Sequence, residues 1–319
     1  MTLHIFNPEN DMALADGKPG YTAPDTIRQM RSELYWLPSW WAAEGDQVWD
    51  GESPVTLSPS DEISPWGWSP ALIHRLRQAG VAPEFMPDEE EMRSIRTLSH
   101  RATAVEALAR QRADGLLGAR MRGSSELCHS WEEVERLLSD GRPRVLKTPW
   151  SSSGKGVALS SSPSIRQWCQ KAIGRQGSVV VEDALEKFAD FAFEFSLDGS
   201  GGVQYQGLSL FYTGKVGSYT GNWVAPEGEK MQWLLQYVPL SAMVEIRHWW
   251  ESYLSRFNYR GPVGVDMMVC RDGVCPCIEI NWRQTMGMVA NRLAAQGKYG
   301  RLIVEYIYGH YSAEVEAFG

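Results

Sequence analysis

Asp272-Gly273 separates two apolar runs, Gly264-Val265-Asp266-Met267-Met268-Val269-Cys270 and Cys275-Pro276-Cys277-Ile278-Glu279-Ile280-Asn281. Asp-Gly between apolar segments is a strong short-range signal for a two-residue hairpin turn. Facing Arg271 with Val274 and counting outward places Asp266 opposite Glu279. Side chains alternate along a strand, so Asn281 shares the face of Glu279. Like charges directly opposite each other destabilise a ribbon unless a cation lies between them. Two carboxylates and an amide oxygen are hard donors and few in number, which suits magnesium, an ion that keeps waters and substrate phosphates as its other ligands. The ribbon therefore predicts half of a nucleotide site.

The rest of the chain must supply the other half, and composition narrows what it is. With 319 residues, 43% of them hydrophobic, the chain can bury a large core in two or more lobes. A net charge of -8 and the lack of a Lys/Arg-rich stretch argue against nucleic acid as a partner. The first twenty residues carry Glu9, Asp11 and Asp16 with no apolar leader, and no apolar run is long enough to span a bilayer. A cytoplasmic protein with no membrane partner is expected. Five scattered cysteines (Cys128, Cys169, Cys270, Cys275, Cys277) form no CxxC pair and read as reduced core or strand residues. Six dispersed histidines without an H-x-x-x-H pair, and no G-x-S-x-G elbow, leave zinc and serine hydrolase chemistry unsupported.

The pattern along the chain is mixed α/β. A strand is expected over 3–7, a helix over 24–36, and short strands at 47–49 and 55–57 in an irregular stretch from 37 to 70. Helices follow over 70–78, 88–96 and 99–112, with the acids Asp88 to Glu91 forming a helix start favoured by the dipole. Ser130 with Glu133 predicts a capping box for a helix to Leu138. Strands at 144–147, 157–160 and 178–181 surround a helix over 163–172, antiparallel strands fill 190–224, and a helix spans 241–257. Helices starting at Thr285 and Tyr299 follow the ribbon. No internal repeat or disordered linker is visible.

Two further segments carry chemistry. Lys147-Thr148-Pro149-Trp150-Ser151-Ser152-Ser153-Gly154-Lys155-Gly156-Val157 links two strands through small residues that can offer N–H groups and hydroxyls to phosphate, with Lys147 and Lys155 adding charge. It is neither a Walker A loop, since Gly156 follows Lys155 and Pro149 stands where glycine belongs, nor a dinucleotide fingerprint, since Leu159 replaces the last glycine. Val179-Val180-Val181-Glu182-Asp183-Ala184-Leu185 is an apolar strand ending in acids, followed by Asp190 and the alternating Phe191 to Phe195. Taken singly, each segment also fits a plain turn.

Their order is more specific. A lysine strand, a Ser/Gly loop, a strand ending in Glu, an acid, then paired strands bearing Asp266 and Glu279-Ile280-Asn281-Trp282-Arg283 resemble the ATP-grasp family over about residues 98 to 295. The resemblance implies an α/β fold of α+β lobes with ATP between two subdomains: an N-terminal lobe over 1–97, then an ATP-grasp domain over 98–319, divided into a lid (98–187) and a metal-binding part (188–319). It further implies that Lys147 contacts the α/β-phosphates and that Ser152, Ser153, Gly154 and Lys155 close over the β/γ-phosphates. Glu182, Asp183 and Leu185 would read adenine, Asp190 the ribose, and Asp266, Glu279 and Asn281 would hold Mg2+. Arg283, with Lys155, would serve the transferring phosphoryl group. Arg101 stands where members commonly carry a lysine, which keeps the charge and changes the geometry.

The chemistry so implied is ligation: ATP activates a small-molecule carboxylate as an acyl phosphate, which an amine or similar nucleophile attacks. Phosphoryl transfer needs mainly metals, cations and positioning, which these residues supply. A kinase that stops at phosphorylation and a nucleotide-binding module without turnover are the alternatives. Asp266 opposite Glu279 favours the enzyme, since a purely structural ribbon gains by losing opposed acids. Substrate contacts are expected from Asn7-Pro8-Glu9-Asn10-Asp11, just after the first strand, and from Gly214 to Trp223. Among fourteen tryptophans, Trp40-Trp41 and Trp249-Trp250 cannot all face one core, which leaves an aromatic surface open to a homo-oligomer.

Overall fold

The computed structural model describes residues 1–151, 156–214 and 218–318. Ser152, Ser153, Gly154 and Lys155, and residues 215–217 of the expected substrate loop, lie outside them. Three sheets organise the described residues. Among them, no helix is long and apolar enough to cross a membrane.

The first sheet belongs to β1 (Thr2–Ile5), α1 (Asn10–Asp16), α2 (Asp25–Leu34), β2 (Gln47–Val48), β3 (Glu62–Pro65), α3 (Pro70–Gln78) and α4 (Glu89–Leu98). β1 runs between β2 and β3, parallel to both. Ser69 caps α3 through Leu72 N–H, with Pro70 in the first turn. The acids at 88–91 make a full capping box, Asp88 with Glu91. Residues 10–16 form a helix where no element was expected from the sequence, and one expectation fails. Val55–Leu57 is no strand, because the Val55 N–H goes to Ala79 O at the end of α3 (2.8 Å).

The second sheet comprises α5 (Ala102–Ala113), β4 (Ser125–Cys128), α6 (Trp131–Leu138), β5 (Arg144–Lys147), β6 (Val157–Leu159), α7 (Ile165–Gln176) and β7 (Val179–Asp183). Its order is β4-β7-β5-β6, antiparallel throughout. Cys128, Val134, Leu146, Cys169, Val179 and Val181 form its core. Ser130 caps α6 as expected, but the Glu133 carboxylate takes the N–H of His129 (2.6 Å) instead of that of Ser130, so the box is not reciprocal. All five cysteines are free and buried.

The third and largest sheet holds β8 (Lys187–Asp198), β9 (Val203–Thr213), β10 (Tyr219–Val224), α8 (Glu227–Leu234), α9 (Leu240–Leu254), β11 (Arg260–Cys270), β12 (Gly273–Asn281), α10 (Met286–Ala295), β13 (Gly300–Ile307) and β14 (His310–Glu316). Its order is β12-β11-β8-β9-β10-β13-β14. Phe191, Phe193 and Phe195 alternate onto one face and share a core with Ile246 and Trp250 of α9. The other face carries Asp190, Glu194 and Asp266, and α10 packs there over β9 and β10. The helix expected from Tyr299 is instead the β13–β14 hairpin. Its chain turns at Tyr308-Gly309, and Gly300 allows Glu316 O to come within 2.0 Å of where a Cβ would stand. Of the tryptophan pairs, Trp250 is fully buried, while Trp40, Trp41 and Trp249 are half-buried.

The β11–β12 ribbon turns one residue earlier than expected. Cys270 faces Gly273, so the turn residues are Arg271 and Asp272, the latter at φ 63°. Gly273 is required for another reason, since its Cβ would stand 2.0 Å from the carbonyl oxygen of Arg120. The register then shifts between Met268↔Cys275 and Asp266↔Glu279. Pro276, which has no N–H for the ladder, lies in that irregular stretch, and its carbonyl accepts from Trp250 Nε1 (3.1 Å). Beyond the shift the expected pairing holds.

Candidate nucleotide and phosphoryl-transfer site

Asp266 faces Glu279 directly, and the Asn281 amide donates to Asp266 Oδ2 (3.1 Å), so all three share one face. Burial, reinforced by Glu279, pushes the Asp266 carboxyl up to about 7. On the adjacent strand Glu194 faces Gly264, is buried, and is pushed up to about 8 by burial and then by Asp266. Thr285 Oγ1 donates to Glu194 Oε1 (2.9 Å), while Oε2 has no partner. Sequence reasoning passed over Glu194, although an acid alternating with three phenylalanines was the signal.

These donors fit a hard divalent cation. They are oxygen ligands on one sheet face, and the enclosed, repelled Asp266 carboxyl is what a cation would stabilise. Among the described residues no group of three or more His, Cys, Asp or Glu is placed to hold a metal ion, so the protein ligands here are two carboxylates and an amide. The few protein ligands leave room for water and phosphate, as magnesium requires.

Cations converge from three directions. Arg101, at the start of α5, donates through Nη2 to Glu279 Oε1 (2.6 Å) and through Nη1 to Thr148 O (2.8 Å) and Ser151 Oγ (2.6 Å). It thus ties the approach to the Ser/Gly loop to the acidic ribbon. Lys147 is buried, and its Nζ lies 2.6 Å from Glu182 Oε2 across the β5–β7 pair. Arg283 is gripped by Asp11 of α1, with Nε 3.1 Å from both carboxylate oxygens and Nη2 2.9 Å from Oδ2. Burial works against the charge of Arg283, and Asp11, Glu279 and Asp266 outweigh it, so its pKa is raised.

The first lobe is built to hold that grip. Asn7 is fully buried and its amide donates to Gly67 O (2.8 Å), while Gln284 N–H donates to Trp66 O (2.7 Å). The segment 7–11 was expected near the site; the Asp11–Arg283 link was not, since nothing local in the sequence joins residues so far apart.

The remaining expected residues are more dispersed. Asp183 spends its N–H on Ser124 O (3.1 Å) and its side chain on Ser124 Oγ (2.7 Å) and Arg144, so that N–H is not free for a base. Leu185 packs against the apolar core. Asp190 Oδ2 accepts from Lys187 Nζ (2.5 Å) and Thr213 Oγ1 (2.6 Å). In the segment 214–223, Tyr219 OH donates to Asn222 Oδ1 (2.6 Å), and buried Asn222 donates to Ser209 Oγ (2.8 Å) on the polar sheet face. A cavity of about 1120 Å³ opens beside Arg283, between the first lobe and α10.

No protein-family model matches the sequence, and no curated protein matches it. Solved structures do match. The biotin carboxylase domain of Hydrogenobacter thermophilus 2-oxoglutarate carboxylase, determined with MgADP, ADP and bicarbonate, has a TM-score of 0.52 and 15% identity over 76% of this chain; the match spans 57% of that structure. Campylobacter jejuni biotin carboxylase, determined as an ATP complex, matches at TM-score 0.52 and 13% identity over 95% of this chain and 74% of its own. Staphylococcus aureus N5-carboxyaminoimidazole synthetase with ADP matches at 0.50 and 11%, over 96% and 82%.

Proposed function

From the ATP-grasp fold, which this chain shares with those structures, and from the acidic ribbon, we propose an ATP- and magnesium-dependent ligase that activates a carboxylate for attack by an amine or similar nucleophile. The observation that carries the reading is Asp266 set directly opposite Glu279, beside Asn281, with Arg101 and Arg283 within the same charged face. Magnesium there would neutralise developing charge on the phosphates. Asp266, Glu279 and Asn281 would hold it, and Arg283, aimed by Asp11, would meet the transferring phosphoryl group. Lys147 and Arg101 would bind the phosphates, exchanging their present partners Glu182 and Glu279 for them. Ser152, Ser153, Gly154 and Lys155 would complete the phosphate contacts. Glu182, the Asp183 carbonyl and Leu185 would line the base, and Asp190 the ribose. Lobe limits at 97 and 187 belong to the same proposal.

The test is magnesium-dependent ADP release against a panel of small carboxylates and amines, with hydroxylamine added to trap an acyl phosphate as a hydroxamate. ADP release with hydroxamate supports the ligase. A stable phosphorylated product with no hydroxamate indicates a kinase, and nucleotide binding without release indicates a module without turnover.

A further inference from the structure

The large cavity holds a cation that the phosphoryl site does not use. On α10, Met288, Asn291, Arg292 and Ala295 recur at helical spacing and line the cavity, together with Trp66 and Phe85 of the first lobe. The Arg292 guanidinium lies over the Trp41 ring, 4.9 Å from its centroid. No carboxylate among the described residues forms an ion pair with it, and its Nη1 is buried without a partner. Gln284 Oε1, on the same cavity, is likewise buried and unpartnered. Burial pulls the Arg292 pKa down, and Glu194 offsets this only in part.

The other charges along the cavity have partners, except the exposed Glu84 at its rim. Arg260 pairs with Glu62 (3.0 Å), Asp61 with the N-terminal ammonium (3.2 Å), and Glu91 caps α4. A half-buried guanidinium left without an acid is costly, and a ligand anion meeting its planar fork removes that cost. Arg283 and Arg292 are separated mostly by α10, which at ~1.5 Å rise per residue puts them on the order of 10 Å apart.

We propose that Arg292 is a specificity-determining residue that binds a second acidic group of the substrate, so that the preferred acids are elongated dicarboxylic compounds with an apolar stem. The reacting carboxylate lies at Arg283, the stem runs along Met288 and Trp66, and the distal carboxylate meets Arg292. The inference rests on the ligase reading for its orientation, while the binding itself is separately measurable.

Suberate and adipate serve as diacid probes, with octanoate and hexanoate as monoacids of equal length. In wild type the KM for suberate is expected about tenfold below that for octanoate, the worth of one charge-assisted contact. Arg292→Met is expected to erase that preference through KM for suberate, and Arg292→Lys to restore part of it. Equal KM values for the two acids in wild type, or an equal rise for both in Arg292→Met, overturn the proposal. Thermal shift with each acid, without nucleotide, is read in parallel on wild type and Arg292→Lys. Suberate that stabilises wild type more than octanoate does, yet supports no ADP release, sinks the ligase reading and leaves the acid site standing; no stabilisation by suberate overturns the acid site.

Discussion

The seven-stranded sheet is closed at each edge by a hairpin, and the two hairpins differ in regularity. β13–β14 pairs without interruption from Arg301↔Glu316 to Ile307↔His310, and its tip residue Tyr308 is 99% exposed. β11–β12 shifts register near Pro276, lies largely in the core, and sets two acids face to face. The regular hairpin pairs its backbone without a break and sets no two acids opposite each other. The irregular one carries an unfavourable charge arrangement that surrounding packing must hold, which is how strain and function usually coincide.

Replacing both acids with their amides, Asp266→Asn with Glu279→Gln, is the sharpest challenge to this contrast. Magnesium-dependent ADP release should fall on the order of a thousandfold, since metal and charge stabilisation are worth several kcal/mol. The melting temperature should change little, because the Asp266–Glu279 repulsion removed offsets the Arg101–Glu279 ion pair lost. A large drop in melting temperature would show that the acids are structural. Next in size, Gly273→Ala places a Cβ against the Arg120 carbonyl, a backbone atom that cannot swing aside. Urea unfolding should show a loss of ~2 to 3 kcal/mol. At the regular hairpin, Gly309→Ala meets no atom within 4 Å and bears only the strain of φ 87°, about 1 kcal/mol. Equal losses would erase the distinction between the two turns.

A smaller effect is a pH slope from the polar face beneath α10. Lys230 is buried, donates to Asn291 Oδ1 (2.5 Å), and is pushed down to about 8 by burial, against the pull of Glu227 and Glu194. Below pH 8 both folded and unfolded chains hold the proton, and the cost of burying the charge is present in full. Between about 8 and the ordinary lysine value of ~10.4, the folded chain has released it and the unfolded chain has not. Stability therefore rises with pH across that window, by on the order of 1 kcal/mol or more, and Lys230→Met should lack the rise. Parallel pH–stability curves for the two proteins would remove Lys230 from the account. Least of all, Tyr308→Ser at the exposed tip should change stability by under ~0.5 kcal/mol and leave ADP release alone.

How far the site was legible depends on how local its parts are. Asp266 opposite Glu279 was reached through two offsetting errors: the turn sits at Arg271-Asp272, and the irregularity around Pro276 restores the expected pairing beyond it. Proline's missing N–H was visible in the sequence, but whether the strand would bulge there depended on Trp250, which supplies the partner for its carbonyl. Lys147 and Glu182 were legible because each ends a short apolar strand; that they pair with each other follows from the β5–β7 register. Arg101 on Glu279 and Asp11 on Arg283 were not legible, being contacts between lobes with no local signature. The β13–β14 segment was misread because its tyrosines and glutamates tolerate either period, and only docking on α2 and β10 makes it a strand pair.

The central claim is that the irregular ribbon is the magnesium end of an ATP site. It is tested most directly by titrating ATP calorimetrically into wild type and into Asp266→Asn with Glu279→Gln, each with magnesium and with EDTA. Wild type should bind ATP more tightly with magnesium, and the doubly substituted protein should lose that increment while still binding the nucleotide through Lys147. An equal magnesium increment in both proteins, or no binding of ATP by wild type, would contradict the account.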